Sequence, residues 1–356
     1  MKHSRPPSQR GAAALIVTLM LFLAMALAAL ALGRHLVFGH RASANQARAT
    51  QAFEAAEAGL EWAQAQLNST QRIGADCQPS ADPAATTFSE RYLGIDRGTG
   101  VVAASALRPS CVRTASGWSC SCPAAGPAVL VAPGGNVVAP AFSLQFQPAT
   151  RAGALRVSAT GCTSLAGACV PGSATATDAT ARTETTLALF AGLRTPPTAV
   201  LTTRDALSQT GDQFFAATFG IDKARWKNQS VVARISCGAD CSRAVADAVA
   251  AGSALIWIEG DLTLVGPVTL GSVAQPVVIV ASGAARIDGA ATITGALYAA
   301  SITLSGAGTA VQGAVLNEGA YAGPASPDFR LDADVLAALT HQTGSFTRVS
   351  GSWRDF

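Results

Sequence analysis

The sequence is 356 residues long, which predicts more than one folded part. Hydrophobic residues make up 49% of it but aromatic residues only 6%, and alanine and glycine fill little core volume, so we expect thin layered parts rather than one large core. The formal net charge is +3, and no basic run is interleaved with aromatic residues, which argues against a nucleic-acid-binding surface.

The N-terminus begins with a short basic segment, residues 1–11, that ends at Gly11. Residues 12–32 carry no charge, and 21 residues suffice to cross a hydrocarbon layer of ~30 Å as a helix. The preceding basic residues favour a cytoplasmic N-terminus. Three hypotheses fit: a secretory signal peptide, a plain membrane anchor, or a leader that is cut before the apolar run. The signal peptide is disfavoured because the run is long and Arg34 and a helical pattern follow it.

The helix is predicted to continue beyond the apolar run. Residues 41–68 contain no proline, and Gly59 is their only glycine. Apolar residues recur there at a spacing of three or four: Phe53, Ala56, Leu60, Ala63 and Leu67. We therefore predict one helix over residues 12–68, apolar first and amphipathic later.

Eight cysteines follow this helix, and none lies within it. They are Cys77, Cys111, Cys120, Cys122, Cys162, Cys169, Cys237 and Cys241. An even number after a membrane segment predicts disulfides in an oxidising compartment. A zinc site is disfavoured because the spacings are not of the CxxC type and the histidines lie elsewhere. Cys162–Cys169 and Cys237–Cys241 are the easiest local pairs; the pairing of the other four stays open.

Residues 69–197 are predicted to form a disulfide-stapled antiparallel β head packed on the helix. Proline, glycine and serine become common here, and short β-like stretches alternate with them. The predicted strands are 129–131, 141–146, 155–159 and 183–190. The Thr195-Pro196-Pro197 sequence marks the boundary of this region.

Residues 198–253 are predicted to be a connecting α/β segment, with a strand near 200–203, a helix over 242–251 and a small core made by Phe214, Phe215, Phe219 and Trp226. In residues 254–325, short apolar runs alternate with glycine, and small residues recur every six positions: Gly283, Gly289, Gly295, Ser301, Ala307, Gly313 and Gly319. This period favours a β-solenoid over an antiparallel meander with glycine turns. Residues 326–356 are predicted to form a helix over 331–341 and a tail.

No active site is evident in the sequence. His341 stands alone, and no phosphate-binding glycine motif occurs in a strand–turn–helix setting. Residues 254–319 lack the clustered charges that solenoid lyases need, so we predict neither an enzyme nor a cofactor. A calcium site at Asp328, Asp332 and Asp334 is a weak alternative, because no glycine-bearing Asx-rich loop accompanies them.

Two segments resemble a known family. Arg10-Gly11 with the apolar run and the stretch QAFEAAEAGLE, residues 51–61, resemble the N-terminal region of PilX-type minor pilins of type IV pilus systems. The ending RVSGSWRDF, residues 348–356, also resembles endings seen in such proteins. Together with the patterns above, this predicts an α+β, mostly β fold class with a long pilin helix, a disulfide-stapled pilin-like head and a glycine-rich, β-solenoid-like C-terminal region.

The resemblance implies processing. Prepilin peptidase would cut between Gly11 and Ala12, and the new amino terminus at Ala12 would be methylated. Major pilins carry glutamate at the fifth mature position, where this chain has Ile16. That glutamate neutralises the buried terminal ammonium of a neighbouring subunit, so its absence suggests a subunit at or near the pilus tip.

The predicted function is a minor pilin that helps initiate pilus assembly and contributes to adhesion. The implied partners are other minor pilins, the major pilin, prepilin peptidase and the assembly platform, with a tip adhesin as a further candidate. The implied location is the inner membrane, with a periplasmic head, and then the pilus. The alternatives are a K-type pseudopilin of type II secretion and a membrane-anchored β-solenoid adhesin that binds carbohydrate.

Overall fold

The structure is a computed structural model, and it describes residues 10–131, 139–163, 169, 179–204, 209–324 and 327–356. The chain divides into two units, residues 1–51 and 52–356. Of the predicted leader, residues 1–9 lie outside the described residues.

Helix α1 (Arg10–Leu67) contains the apolar run, which agrees with the predicted helix. Alanine, leucine and methionine favour the helix along this stretch, and no proline interrupts it. Within the first unit, the side chains described from residue 14 to residue 51 are exposed or half-buried. The apolar run therefore has no covering partner among the described residues of this unit.

The second unit begins within α1 and continues with short elements. The described residues between 69 and 197 form α2 (Phe88–Tyr92), β1 (Leu93–Ile95), β2 (Val102–Ala104), β3 (Ser110–Thr114), β4 (Gly117–Ser121), β5 (Ala141–Pro148), β6 (Ala154–Cys162) and β7 (Thr180–Ala191). The predicted strands at 141–146, 155–159 and 183–190 are present and longer than predicted. The strand predicted at 129–131 is wrong, because these residues form no ladder and Val129 and Val131 are exposed.

The rest of the chain is richer in strands. It forms β8 (Leu201–Thr203), α3 (Gly211–Phe219), α4 (Lys223–Lys227), β9 (Val232–Ile235), α5 (Ser242–Ala250), β10 (Leu255–Ile258), β11 (Leu262–Leu264), β12 (Val268–Leu270), β13 (Val277–Ala281), β14 (Ala284–Ile287), β15 (Ala291–Ala299), β16 (Ser301–Leu304), β17 (Ala310–Asn317), β18 (Tyr321–Ala322), β19 (Asp328–Arg330), α6 (Ala333–His341), β20 (Gly344–Arg348) and β21 (Arg354–Asp355).

The head sheet is antiparallel and contains strands from both ends of this unit. Its order is β20–β7–β6–β5–β3–β4, and β21 also pairs with β7. The chain leaves this sheet at Ala191, the end of β7, and returns at Gly344, which lies opposite Ala191 in the ladder. Residues 192–343 are therefore inserted between two adjacent strands of the head sheet.

The inserted region is built from parallel strand pairs. One series joins β9, β10, β13, the second halves of β15 and β17, and β8; a second joins β11, β14, β16 and β18; a third joins β12, the first halves of β15 and β17, and β19. Because all of these pairs are parallel, the alternative prediction of an antiparallel meander is wrong. Buried Leu, Ile and Val side chains from the three series make one apolar cluster.

The six-residue period matches the offset between β15 and β17 but not every offset in this region, since β14 and β16 are offset by 17 residues (301 − 284) and β10 and β13 by 23 (278 − 255). Thr292 lies opposite Ala310, and Gly295 lies opposite Gly313, so β15 and β17 are offset by 18 residues (310 − 292), or three steps of six. Gly295 and Gly313 stand where each strand passes from one series to the next, with φ of 149° and 136°. A Cβ at Gly295 would lie 1.8 Å from the carbonyl oxygen of Val277, so this corner requires glycine.

Helices α3, α4 and α6 supply residues that pack on the other face of the first series. Their aromatic core contains Phe214, Phe215, Phe219 and Trp226, which are fully buried, together with Tyr298 of β15. This is the small core that the sequence predicts. Helix α3 starts at a capping box between Thr210 and Gln213 and ends at Gly220 in the left-handed region.

Candidate functional site

The apolar half of α1 is the first candidate surface. Its large side chains are exposed, including Leu15, Ile16, Leu19, Met20, Leu21, Phe22, Leu23, Met25, Leu27, Leu30 and Leu32. Within the described residues, one helix is long and apolar enough to cross a membrane, and it is this one. An exposed apolar surface of this size needs lipid or other apolar helices around it.

The predicted processing residues lie at the start of this helix. Gly11 and Ala12 fall in the first turn of α1, and the placement of their side chains is outside the described residues. Ile16 follows one turn later and is 55% exposed. Residues 12–53 contain no aspartate or glutamate, and the first carboxylate of the helix is Glu54. This helix segment therefore has no carboxylate near Ile16 that could replace the missing glutamate.

The second half of α1 docks on the head sheet through small residues. Ala52, Ala55, Ala56, Leu60, Ala63 and Leu67 form its buried stripe. Ring carbons of Phe142 lie 3.0 Å from the position that a Cβ on Gly59 would occupy. A Cβ on Gly161 of β6 would lie 2.0 Å from the Ala52 carbonyl oxygen and 2.5 Å from the Ala56 nitrogen. The helix and strand backbones therefore approach closely, which larger residues would prevent.

The C-terminal tail binds the same part of the helix. The Trp353 ring meets Phe53 edge to face at 6.4 Å, and its Nε1 donates to Glu57 Oε1 at 2.9 Å. Arg348 lies 3.0 Å from Glu61. The two segments that resemble pilin sequences, at opposite ends of the chain, are therefore in contact.

Two hydrogen bonds between one side-chain amide and the backbone of β20 fix the register of this contact. Asn68, just beyond α1, donates its side-chain amide to the carbonyl of Phe346 at 2.9 Å and accepts from the Phe346 N–H at 2.7 Å. Phe346 lies in β20, which completes the head sheet beside β7. Nothing local in the sequence indicates this pairing, because 278 residues separate the two partners.

Trp353→Ala is expected to lower the free energy of unfolding by about 1–2 kcal/mol, because it removes the ring contact with Phe53 and the hydrogen bond to Glu57. Denaturant unfolding of the detergent-solubilised full chain measures this. Trp353→Phe is the matched control, since it keeps the ring contact, and should lose less than half as much. Equal stability of the alanine variant and the parent would show that the tail does not hold the helix.

The eight cysteines form four disulfides. Cys162–Cys169 and Cys237–Cys241 are the local pairs that the sequence favours, and the pairs left open are Cys77–Cys122 and Cys111–Cys120. Cys120 lies in β4 directly opposite Cys111 in β3, whereas Cys122 lies beyond the strand, where its N–H donates to Ala75 at 2.7 Å. Cys120 and Cys122 therefore have different partners although one residue separates them. With all eight sulfurs paired, none remains as a thiolate ligand for zinc.

The acidic residues of the tail are used within the fold. Asp332 is the N-cap of α6 and accepts from the N–H groups of Asp334 and Val335, while Gln312 donates to its other oxygen at 2.6 Å. Asp328 pairs with Arg330. Among the described residues, no group of three or more His, Cys, Asp or Glu side chains could hold a metal ion.

Asp332→Ala is expected to cost about 1 kcal/mol at neutral pH, the usual loss for an N-cap. The backbone N–H of Val335 and the amide of Gln312 hold the pKa of Asp332 below its usual range. The stability from this charge is therefore present above the unfolded-state pKa, near 4, and is lost as pH falls through the lower folded-state value. Urea unfolding at pH 7 and pH 3 should show the gap between variant and parent shrink at low pH. Asp332→Asn keeps a hydrogen-bond acceptor, so it should lose less stability than Asp332→Ala at pH 7, and residue 332 should then contribute little to the pH dependence of its stability. A stability difference between Asp332→Ala and the parent that is the same at both pH values would contradict this expectation.

One polar cluster lies partly buried between α4 and the parallel strands. The Tyr298 hydroxyl and the Lys223 ammonium both contact Glu318 Oε1, and Lys223 lies 3.8 Å from Asp212. Burial raises the pKa of Tyr298, and the hydrogen bond to Glu318 adds to the rise, so the hydroxyl stays protonated as the donor. The cluster anchors α4 on β15 and β17, and each of its three central groups is satisfied by the others.

A helix with an exposed apolar first half and a second half docked on an antiparallel sheet is the arrangement expected of a pilin-like chain. Residues 10–61 match the family model described as PilX N-terminal. The match covers the apolar run and the stretch that contacts the tail, and it bears out the resemblance stated from the sequence. It relates the chain to pilins of type IV pilus systems and to a membrane-anchored, structural class. A search of curated proteins and a search of solved structures each found no match.

Proposed function

We propose that this chain is a minor pilin of a type IV pilus system. The observation that carries the proposal is the match of residues 10–61, which lie on a helix whose apolar half is exposed and whose later half docks on the head. Prepilin peptidase cuts after Gly11, and the methylated Ala12 becomes the first residue. The helix waits in the inner membrane with a periplasmic head and then enters the filament.

Its place in the filament is at or near the tip. Ile16 supports this, because a subunit that follows another in the shaft would carry a carboxylate there for the neighbouring ammonium. Together with other minor pilins, the chain initiates assembly at the platform before the major pilin is added. A K-type pseudopilin would also lack this glutamate and is the nearest alternative.

The inserted region is a β-solenoid, the part of the head that would present an adhesive surface. Parallel pairing in three series, an 18-residue offset and a shared apolar interior support this assignment. A membrane-anchored adhesin unrelated to filaments would use the same surface. Binding of the full chain to a glycan array tests the adhesive role. If the chain binds no glycan on the array, a carbohydrate-binding role is rejected.

Deletion of the gene tests the assembly role. Surface pili, counted by electron microscopy, are expected to fall at least tenfold, while secretion of type II substrates stays unchanged. Complementation with the parent gene should restore pili, and complementation with a copy that lacks residues 12–32 should not. Normal piliation with failed secretion would identify a pseudopilin, and normal results in both assays would reject a role in assembly.

A further inference from the structure

A band of basic side chains follows the apolar run on α1. Arg34, His35, His40 and Arg41 are exposed on the helix. Arg34 and Arg41 are seven residues apart, nearly two turns, so they lie on the same face. Residues 12–53 contain no aspartate or glutamate, so this stretch of the helix carries no acidic side chain to balance the two arginines.

A shallow apolar groove lies on the same face and includes these arginines. Its volume is about 530 Å³, and it is lined by Ala29, Leu30, Gly33, Arg34, Val37, Phe38 and Arg41. Ala29 and Gly33 have little or no side chain, whereas Leu30 and Phe38 are large, and both are exposed. The groove therefore joins an apolar surface, at the end of the membrane-spanning run, to two guanidinium groups.

We propose that this groove binds an anionic phospholipid at the head-side surface of the membrane. The glycerol and upper acyl chain lie along Leu30, Val37 and Phe38, and the phosphate accepts from Arg34 and Arg41. An amphiphile with a negative head matches this combination of surfaces, and Arg34 follows the apolar run at the level where head groups lie. The proposal rests on the membrane-spanning helix of the proposed function.

The other acidic occupant to consider is the helix of a second copy. Its carboxylate nearest this region in sequence is Glu54, 13 residues (54 − 41) beyond Arg41, and the next two, Glu57 and Glu61, are engaged by the tail through Trp353 and Arg348. The groove is also apolar over most of its lining, which suits a lipid better than a row of charged side chains. These two observations favour the lipid.

The test uses the full chain in nanodiscs of phosphatidylcholine with one-fifth phosphatidylglycerol, with retained lipids identified by native mass spectrometry. Among the retained lipids, the ratio of phosphatidylglycerol to phosphatidylcholine should exceed the bulk ratio by about fivefold for each arginine that contacts the lipid. Arg34→Gln with Arg41→Gln should bring the ratio to the bulk value, and Arg34→Lys with Arg41→Lys should retain part of the enrichment. Arg330→Gln with Arg354→Gln, two exposed arginines of the second unit, is the control and should change nothing.

An unenriched parent, or enrichment that survives the glutamine pair, would overturn the lipid site while leaving the anchor intact. The variant with Arg34→Gln and Arg41→Gln could instead lose a co-purifying pilin while its lipid retention stays unchanged. That result would assign the arginines to a protein partner and would also overturn the proposal. Failure of the parent to enter pure phosphatidylcholine discs would overturn both the lipid site and the membrane anchor of the proposed function.

Discussion

Gly161→Ala is expected to lower the free energy of unfolding of the head by about 3 kcal/mol, the upper end of what overpacking costs. The added methyl would lie 2.0 Å from the Ala52 carbonyl oxygen and 2.5 Å from the Ala56 nitrogen. Both are backbone atoms of the docked helix, so no side-chain rotation can relieve the clash. The helix must move away from β6, and the buried stripe at Ala52, Ala56 and Leu60 would lose contact with the sheet.

Denaturant unfolding of the solubilised full chain measures this loss. Gly94→Ala is the control, because its Cβ would meet nothing closer than Ala103 Cβ at 3.8 Å, and it should change stability by less than about 0.5 kcal/mol. If Gly161→Ala is as stable as Gly94→Ala, the helix backbone does not pack directly on β6.

Replacing Cys77 and Cys122 together by serine is expected to cost about 4 kcal/mol. The two residues are 45 positions apart, and the entropy of closing a loop of that length gives this magnitude. Cys122 is fully buried beside the short loop at Gly74 and Ala75, where Arg91 donates to the carbonyls of Gly74 and Cys122. Loss of the disulfide therefore also loosens the turn that Arg91 holds.

The matched variant is Cys237→Ser with Cys241→Ser, which opens a loop of only four positions and should cost about 2 kcal/mol. Thermal unfolding of both variants under non-reducing conditions gives the comparison. The long-range pair should show the larger fall in Tm. A larger fall for the short pair would mean that the disulfides do not act mainly by restricting the unfolded chain.

The helix could be predicted well because its signal is local. The 3–4 spacing placed Ala56, Leu60, Ala63 and Leu67 on one face, and all four are buried. Phe53 departs from that prediction, since it is 36% exposed and meets Trp353, while Ala52 takes the buried place. The tail that covers Phe53 comes from the other end of the chain, so no local pattern reveals it.

The parallel region was predictable in part of its period but not in its connections. The corners at Gly295 and Gly313 account for two of the small residues in the six-residue series, whereas offsets of 17 and 23 residues elsewhere do not follow that step. The insertion between β7 and β20 was not predictable, since their pairing joins Ala191 to Gly344 across the whole region. Strands β1 to β4 were missed because each has only three to five residues, too few for an alternating pattern to be evident.

The candidate site residues also divide into those that local spacing predicts and those that depend on distant contacts. The local disulfides followed from spacing, whereas Cys77–Cys122 depends on a fold that brings distant loops together. Ile16 and the Gly11–Ala12 bond were identified by resemblance to a family, and their roles remain proposals. Asp332 was noted for its charge, and its structural partners make it a helix cap.

If the exposed apolar helix belongs to a processed pilin, as we propose, the first residue of the mature protein is not Met1. Mass spectrometry of the N-terminal peptide of the protein purified from its own cells is the measurement. We expect a chain that begins at N-methylated Ala12. A mature chain that begins at Met1 would contradict it and would leave the helix as a plain membrane anchor.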